Sequence, residues 1–347
     1  MKIIIIGTGW YGCHIASLLK DEYDILLIDK KEKIFDNSSN YNQNRLHLGY
    51  HYPRCSKTRD LCLYGYKKFI QKYRELVEFI DENYYMISKS SNIDFNTYIQ
   101  IYNLPIYKHS FVENTNMKNI DGDIIKVDEK IINSSKSKVF FNKCLENVKK
   151  KMNYKVHTIE QKNNKVIVNN DLECDIVLNC SYNSINLSNK ECIYELTISL
   201  IYERVNFNKS FDSLTLMDGD LFSLFPRDIS RNLYTLTHVK YTPILKTNNI
   251  KEIEKYVFDE EKLENIKKNI INEVIIYYED FEDEFKYKDY FLSYKCKNIS
   301  NKDSRDCEII EDKNIISVQC GKIIGIFEFE DYINNYLKKK NHKYRNE

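Results

Sequence analysis

The first thirty residues constrain the fold of this chain more than any other segment. The β-branched run Lys2–Ile6 predicts a strand that is buried on both faces of a parallel sheet. A glycine-rich turn at residues 7–12 leads into Cys13–Lys20, whose apolar residues recur with helical periodicity. Tyr23–Ile28 then predicts a second strand, which ends at Asp29. A β-α-β unit of this kind takes a right-handed crossover, so the chain is expected to contain a parallel sheet.

Each glycine of the turn Gly7-x-Gly9-x-x-Gly12 has a physical purpose in binding a dinucleotide. Gly7 permits the tight turn, Gly9 lets the backbone approach a pyrophosphate, and Gly12 lets the helix pack on the strand. The helix N-terminus offers free N–H groups and a positive dipole end to the phosphates. Asp29 follows Gly9 by twenty residues, where a carboxylate can bind the ribose hydroxyls and disfavours the 2′-phosphate of NADP. The unit is therefore expected to bind the ADP half of NAD or FAD.

Composition excludes several other classes of protein. The 52 basic and 51 acidic residues leave a formal charge of +1, which gives no electrostatic reason to expect a nucleic-acid partner. The run Ile3–Ile6 is too short to span a bilayer, and the glycine turn after it is unlike a signal peptide. Ten cysteines occur without a Cys-x-x-Cys pair, so we expect reduced thiols, no metal site and a cytoplasmic location. The expected partner is a small-molecule substrate, and the oligomeric state is left open.

The rest of the chain alternates between helical and strand-like patterns. Helices are predicted at residues 57–81, 137–151, 249–279 and 330–340. Strands are predicted at 84–88, 97–102, 155–160, 165–168, 175–180 and 315–319, with several more between 194 and 242. The predicted fold class is α/β: a Rossmann-like domain with a glutathione-reductase-like βαβ unit, into which an antiparallel, β-rich domain is inserted.

The densest cluster of polar and aromatic residues lies at positions 45–54, with Arg45, His47, His51, Tyr52 and Arg54. If this segment is extended, alternation places Arg45, His47 and His51 on one face and Tyr52 and Arg54 on the other. One face would then meet a ligand. The competing interpretation is that both histidines are structural and are satisfied by the backbone.

The motifs Ser38-Ser39-Asn40 and Arg45–Arg54 resemble the D-amino-acid oxidase (DAO-type) superfamily of FAD-dependent oxidoreductases. Asp175–Ser181 is similar to the strand before the second FAD contact of that family, although Asn179-Cys180-Ser181 replaces the usual Ala-Thr-Gly. Ser317–Ile323 resembles the closing turn on the flavin side, without the usual Gly-His-Gly. The resemblance implies FAD as the cofactor and a helix N-terminus directed at the flavin.

The same resemblance implies a division of the chain and a set of site residues. The FAD-binding domain would be discontinuous, with residues 1–82, 126–190 and 300–347, and residues 83–125 and 191–299 would form the substrate or cap domain. The residues expected to bind the cofactor are Gly7, Gly9, Trp10, Tyr11, Gly12, Asp29, Lys30, Ser39, Arg45, Leu46, His47, Cys180, Gly321, Lys322 and Ile323. The residues expected to act in catalysis are His47, His51, Tyr52, Arg227 and His238.

The expected reaction is oxidation of a small amine, amino acid, amino sugar or hydroxy acid, with hydride transfer to flavin N5. Two predicted strands carry residues that would hold an anionic substrate, namely Arg227, His238, Lys240 and Tyr241. The alternative interpretation is that these side chains belong to a solvated strand face and bind nothing. Lys322 would place a positive charge that assists the reduced flavin or its reaction with oxygen. Arg305, in a predicted turn, is a weaker candidate for a functional residue.

Three alternatives to this function remain at the level of sequence. An FAD-containing isomerase, similar to a sugar mutase, would need prereduced flavin and consume no electron acceptor. An NAD-dependent dehydrogenase would suit Asp29 equally well, but it does not account for the motifs at residues 38–54. A non-catalytic protein that senses the cofactor would fit the missing Gly-His-Gly.

Overall fold

The structure is a computed structural model that describes residues 1–112, 117–187, 191–207, 211–298 and 307–344. The α-helices of these residues are α1 (Trp10–Leu19), α2 (Ser56–Tyr73), α3 (Phe95–Tyr102), α4 (Ser134–Cys144), α5 (Ile250–Lys255), α6 (Glu260–Ile275), α7 (Phe281–Glu284) and α8 (Ile326–Tyr344). Short 3₁₀ turns occupy Arg74–Leu76, Ile229–Arg231 and Ile323–Gly325.

The strands are, in chain order, β1 (Lys2–Ile6), β2 (Asp24–Ile28), β3 (Arg45–Leu46), β4 (Val77–Glu78), β5 (Asn83–Ser88), β6 (His109–Val112), β7 (Ile120–Val127), β8 (Lys130–Ile132), β9 (Lys149–Lys151), β10 (Ile159–Lys162), β11 (Lys165–Val168), β12 (Leu172–Cys174), β13 (Ile176–Asn179), β14 (Cys192–Arg204), β15 (Ser213–Met217), β16 (Phe222–Asp228), β17 (Leu233–His238), β18 (Pro243–Thr247), β19 (Phe285–Asn298), β20 (Glu308–Asp312) and β21 (Ile315–Gln319). The fold is mixed α/β.

The first large sheet has the strand order β20-β21-β13-β1-β2-β9, and all its pairings are parallel except that of β20 with β21. Its central strand β1 is buried on both faces, as its run of isoleucines predicts. On one face, a core that includes Trp10 of α1, Phe69 of α2 and Phe141 of α4 packs against Ile3 and Ile5. On the other face, the small antiparallel sheet β10-β11-β12 covers a second apolar cluster.

The second large sheet runs β18-β14-β17-β16-β15-β5-β7-β6, and β19 pairs along β14. It is antiparallel except where β5 and β15 run in parallel. Helix α6 covers one face of it, because Leu263, Ile266, Ile270 and Val274 recur at helical spacing and are all buried there. The opposite face of this sheet is turned toward a cavity.

Three sequence-based predictions of secondary structure are wrong in type or in extent. Residues 97–102, predicted as a strand, belong to α3, because Asp94 caps the helix by accepting the N–H of Thr97 at 2.9 Å and because Tyr98 and Tyr102 are buried on one helical face. The helix predicted for residues 137–151 ends at Cys144, and Lys149–Lys151 instead form the edge strand β9 beside β2. The helix predicted for residues 57–81 ends at Tyr73, before the short strand β4 pairs with β8.

The strands predicted at residues 84–88, 165–168 and 315–319 are present as β5, β11 and β21. The predicted helical region 249–279 contains α5 and α6, and the last predicted helix begins earlier than expected, at Ile326. Within the described ranges, no helix is both long enough and apolar enough to cross a membrane.

Candidate functional site

The turn after β1 is built from glycines that leave no room for a side chain. Gly7 has φ +97°, and a Cβ there would lie 2.5 Å from the carbonyl oxygen of Cys180. A Cβ on Gly12 would lie 1.8 Å from the carbonyl oxygen of Gly7, so α1 can pack onto β1 only with glycine at this position. The end of β13 therefore lies directly against the glycine turn.

The N-terminus of α1 is open to an anionic ligand. Its N-cap is Gly9, which has no side chain to cap the helix, and no acidic residue lies in its first turn. Ser39 reaches this end of the helix, because its hydroxyl accepts the N–H of Trp10 at 3.0 Å. Free N–H groups and the helix dipole make this a suitable site for the phosphates of a dinucleotide.

Asp29 lies at the end of β2, next to the glycine turn. One carboxylate oxygen accepts the N–H and the hydroxyl of Thr8, at 2.7 and 2.8 Å, and the other accepts the N–H of Lys31 at 2.9 Å. The carboxylate thus fixes the geometry of this loop. Asp29 also borders the cavity that is described next. Its predicted contact with ribose hydroxyls is compatible with this position.

A cavity of about 690 Å³ connects the glycine turn with the closing turn and the second large sheet. The predicted cofactor-binding residues that line it are Gly7, Gly9, Trp10, Tyr11, Asp29, Lys30, Ser39, Arg45, His47, Cys180, Gly321, Lys322 and Ile323. Gly12 and Leu46 are not among the lining residues. Gly12 packs on the turn, and Leu46 is fully buried in the core beside the first sheet.

Arg45, which lines this cavity, forms a buried ion pair with Glu129 behind it. Nη1 of Arg45 lies 3.6 Å from Oε2 of Glu129, and it also donates to the hydroxyl of Tyr85 at 2.6 Å. Glu129 accepts the N–H groups of Leu48 and Gly49, at 2.8 and 3.2 Å. Burial alone would raise the pKa of the Glu129 carboxyl, but the neighbouring His47, Arg45 and Tyr85 lower that pKa to about 2. The pair therefore stays charged and holds the backbone that follows Arg45.

The segment after Arg45 is a turn rather than an extended strand, so the predicted alternation of residues 45–54 is wrong. Only Arg45–Leu46 is a strand, Gly49 has φ +120°, and the N–H of Tyr52 donates to the carbonyl of Gly49 at 3.0 Å. The turn brings His47, His51 and Tyr52 together, with ring centroids 5.4–5.6 Å apart.

Lys322 completes this cluster from the closing turn. Its Nζ lies 4.5 Å from the ring centroid of Tyr52, and its carbonyl accepts the hydroxyl of Tyr11 at 2.7 Å. Burial, and then the charge of Arg45, lower the pKa of Lys322 to about 7. The cluster of His47, His51, Tyr52 and Lys322 is called the imidazole–lysine cluster below.

Both imidazoles of this cluster are neutral at pH 7. Burial, and then the charge of Lys322, lower the pKa of His47 to about 4. Burial, and then His47, lower the pKa of His51 well below its ordinary value. Nδ1 of His47 lies 3.7 Å from Oε1 of Glu129, whereas Nδ1 of His51 is buried without a hydrogen-bond partner among the described residues. Buried polar atoms of native proteins are normally paired, so the unpaired Nδ1 of His51 in a cavity wall indicates a ligand-binding surface.

Two predicted catalytic residues, Arg227 and His238, lie on strands of the second large sheet. Arg227 is not a lining residue, because its guanidinium packs over Phe291 at 4.5 Å and donates to the carbonyls of Asn40 and Asn42 at 3.4 Å. His238 borders the cavity, but its ring packs on Tyr241 with centroids 4.9 Å apart. Arg227 therefore does not line the cavity, whereas His238 does, and its buried Nε2 has no hydrogen-bond partner among the described residues.

The remaining sequence candidates have ordinary surroundings or cannot be placed. The hydroxyl of Tyr241 contacts Glu273 of α6 at 3.4 Å, and Lys240 lies over the ring of Tyr241 at 5.1 Å. Arg54 pairs with Asp218 at 2.5 Å at the rim of the cavity. Arg305 lies outside the described residues.

Sequence reasoning missed Glu129 and the polar face of the second sheet. Glu129 is separated from Leu48 by 81 residues, so no local spacing indicates their contact. Thr197, Ser199 and Thr237 all line the cavity. Their signal was present in the sequence as alternation of hydroxyl and apolar residues along β14 and β17, which is typical of a sheet with one face turned to a polar space.

Two known proteins are similar in sequence to this chain over most of its length. The chain is 30% identical over 330 residues to the FAD-dependent monooxygenase FPY4 of Fusarium mangiferae, with 93% of this chain and 87% of that protein covered. It is 25% identical over 356 residues to the FAD-dependent monooxygenase kojA of Aspergillus flavus, with 94% and 83% covered. No model of a protein family matches the chain.

Solved structures share the fold at low sequence identity. Glycine oxidase from Geobacillus kaustophilus superposes with a TM-score of 0.67 at 11% identity, with 93% of this chain and 90% of that chain covered. L-α-glycerophosphate oxidase from Mycoplasma pneumoniae, with FAD bound, gives 0.68 at 13% identity, with 94% and 91% covered. L-amino acid deaminase from Proteus vulgaris gives 0.65 at 9% identity, with 94% and 90% covered.

Proposed function

Because the chain belongs to the DAO-type FAD-dependent oxidoreductases, we propose that it oxidises a small amine, amino acid, amino sugar or hydroxy acid. The observation that carries the proposal is the continuity of one cavity. It runs from the glycine turn, past the imidazole–lysine cluster, to the polar face of the second sheet. A cofactor and a substrate can therefore lie side by side in one continuous cavity.

The lining residues fit FAD as the cofactor. The open N-terminus of α1, with Gly9 and Ser39, would hold the pyrophosphate, and Asp29 would hold the adenosine ribose. Lys322 and Ile323 would border the flavin, because they lie on the turn that Tyr11 ties to the same helix. When bound, FAD supplies a hydride acceptor at N5 of its ring system.

The chain itself would contribute orientation, proton handling and charge. The neutral His51 has an unpaired Nδ1 that can accept a proton from a substrate amine or hydroxyl, and His47 and Tyr52 hold its ring in place. Lys322, with its pKa lowered to about 7, carries a titrating positive charge into the wall and stabilises negative charge that develops beside it. Arg45 is engaged by Glu129, Tyr85 and Ser223, so it contributes a fixed charge rather than a free ligand.

We further propose the finer architecture that this function needs. Residues 1–82, 126–190 and 300–347 would form a Rossmann-like FAD-binding domain, and residues 83–125 and 191–299 an inserted substrate domain. The strand pairings support this division, since the first large sheet draws on β1, β2, β9, β13, β20 and β21 alone.

Anaerobic absorption spectroscopy tests the proposed reaction. The purified holoenzyme would be mixed with amines, amino acids, amino sugars and hydroxy acids, and bleaching of the flavin bands would be recorded. At least one class should bleach the flavin without a second reductant, and His51→Gln should slow the bleaching while leaving the FAD content unchanged. A holoenzyme that no member reduces, but that dithionite bleaches normally, would contradict the proposal.

The names of the two sequence relatives favour a second candidate, monooxygenation. A monooxygenase needs O₂ as a co-substrate, commonly with a nicotinamide reductant, and places one oxygen atom in the product. Incorporation of label from ¹⁸O₂ into the product, with consumption of NADH or NADPH, would select this candidate. Substrate-dependent bleaching under anaerobic conditions, with no incorporation of label in air, would select simple oxidation.

A further inference from the structure

Hydroxyl groups line much of the face of the second sheet that borders the cavity, together with Glu195 of β14. Along β14, Ile198 and Leu200 pack in the core under α6, while the alternating residues Thr197 and Ser199 line the cavity. On β17, Leu236 is in that core and Thr237 lines the cavity. The period of two along each strand therefore separates an apolar face from a hydroxyl face. Thr197, Ser199 and Thr237 are called the hydroxyl wall below.

The hydroxyl wall keeps hydrogen-bonding capacity for a ligand. The hydroxyl of Thr197 donates to the carbonyl of Ser293 at 3.1 Å and lies 3.2 Å from the Ser293 hydroxyl, which leaves at least one lone pair to accept from a ligand. The hydroxyl of Thr237 accepts from the amide of Gln43 at 3.3 Å, which leaves its O–H free to donate. Within the described part of the chain, the Ser199 hydroxyl has no protein partner, and its residue is 7% exposed.

Several cations that line the cavity beside the hydroxyl wall are already paired with carboxylates. Arg45 pairs with Glu129, and Lys297 pairs with Glu195 at 2.7 Å. Lys322 lies on the closing turn, beside Tyr52, and not on the sheet. A carboxylate that leaves water needs a cation, best an arginine fork, and these hydroxyls supply none.

We infer that the part of the substrate facing the sheet is uncharged and carries hydroxyl or carbonyl oxygens, which the hydroxyl wall recognises. This inference rests on the proposed function and narrows its substrates to amines, amino sugars and alcohols without a carboxylate at this end. Thr197, Ser199 and Thr237 are then the residues that determine specificity.

Matched pairs of ligands that differ in charge test the inference on the FAD-loaded enzyme. The pairs are D-alaninamide and D-alanine, glycolamide and glycolate, and D-glucosamine and D-glucosaminic acid. Dissociation constants come from perturbation of the flavin absorption bands and from the shift in melting temperature. In each pair of which at least one member binds, the member without a carboxylate should bind about tenfold more tightly than the acid, or tighter still.

Variants of the hydroxyl wall assign that preference to its residues. Ser199→Ala and Thr237→Val each remove one hydroxyl and should weaken the carboxylate-free member about three- to tenfold, the range for one neutral hydrogen bond. Ser230→Ala, which removes a hydroxyl from an exposed turn, should leave the dissociation constants of both members unchanged.

The result separates this inference from the proposed function. Tighter binding of the acid members, or no binding of any carboxylate-free member, to an enzyme with a normal flavin spectrum would overturn the inference alone. A purified protein that neither contains nor takes up FAD would instead overturn the proposed function.

Discussion

The guanidinium of Arg45 and the carboxylate of Glu129 lie 3.6 Å apart in the interior, where each side chain is at most 2% exposed. The carboxylate also accepts the N–H groups of Leu48 and Gly49, so one ion pair fixes the start of the turn that presents His47 and His51. The shape of the imidazole–lysine cluster therefore depends on Glu129, which is not part of the glycine motif at residues 7–12.

Replacing Glu129 by glutamine should destabilise the protein strongly. The substitution leaves the buried Arg45 without its counter-charge, which typically costs about 3–5 kcal/mol of unfolding free energy. Urea unfolding at pH 7 measures the loss. The control is Glu82→Gln, since Glu82 pairs with Lys126 at the surface and should cost less than about 1 kcal/mol. Equal effects of the two substitutions would contradict this role of Glu129.

The same carboxylate predicts a loss of stability in acid. Because the pKa of Glu129 is lowered from 4.5 to about 2 in the folded state, its contribution is complete above pH 4.5. The contribution is lost as the pH falls from about 4.5 toward 2. Urea midpoints measured from pH 6 to pH 3 should therefore fall more steeply for the wild type than for Glu129→Gln. Parallel curves would show that Glu129 is not an ionised partner in the folded protein.

Lys322 should make flavin chemistry sensitive to pH near neutrality. With its pKa lowered to about 7, the amine is charged below that pH and neutral above it. Stopped-flow rates of flavin reduction should change around pH 7 in the wild type. The change should vanish in Lys322→Met and also in Lys322→Arg, whose side chain stays charged. Lys240→Met, which removes a lysine over Tyr241 outside the cavity, should keep the wild-type profile.

Trp10 should report the binding of FAD. It is the single tryptophan of the chain, it is 2% exposed, and it lines the cavity at the N-terminus of α1. Adding FAD to the apoprotein should quench its fluorescence, because the flavin absorbs at the emission wavelength and binds in the same cavity. Gly9→Ala should shift this titration to higher FAD concentrations by about tenfold or more, since its Cβ would lie 2.5 Å from the Ser39 hydroxyl. Unchanged fluorescence at saturating FAD would contradict the assigned position.

The sequence predicted the features that depend on neighbouring residues. The strand, the glycine turn and the helix of the first unit are contiguous, and each glycine has a steric reason that one sequence reveals. Lys149–Lys151 had the composition of a helix end, yet they form β9, because their hydrogen-bonding partners are residues 26–28 of β2. Glu129 could not be found in the same way, because only the folded chain brings it to Leu48. Gly49 itself was a local indication of a turn. It was overlooked because residues 45–54 were interpreted as an extended strand.

A crystal structure of the protein with FAD bound tests the central claim most directly. The account predicts the pyrophosphate at Gly9 and the N-terminus of α1, and the flavin ring between the imidazole–lysine cluster and the hydroxyl wall. Density for FAD with its ring elsewhere, or with Lys322 and His51 away from the flavin and its substrate space, would contradict it.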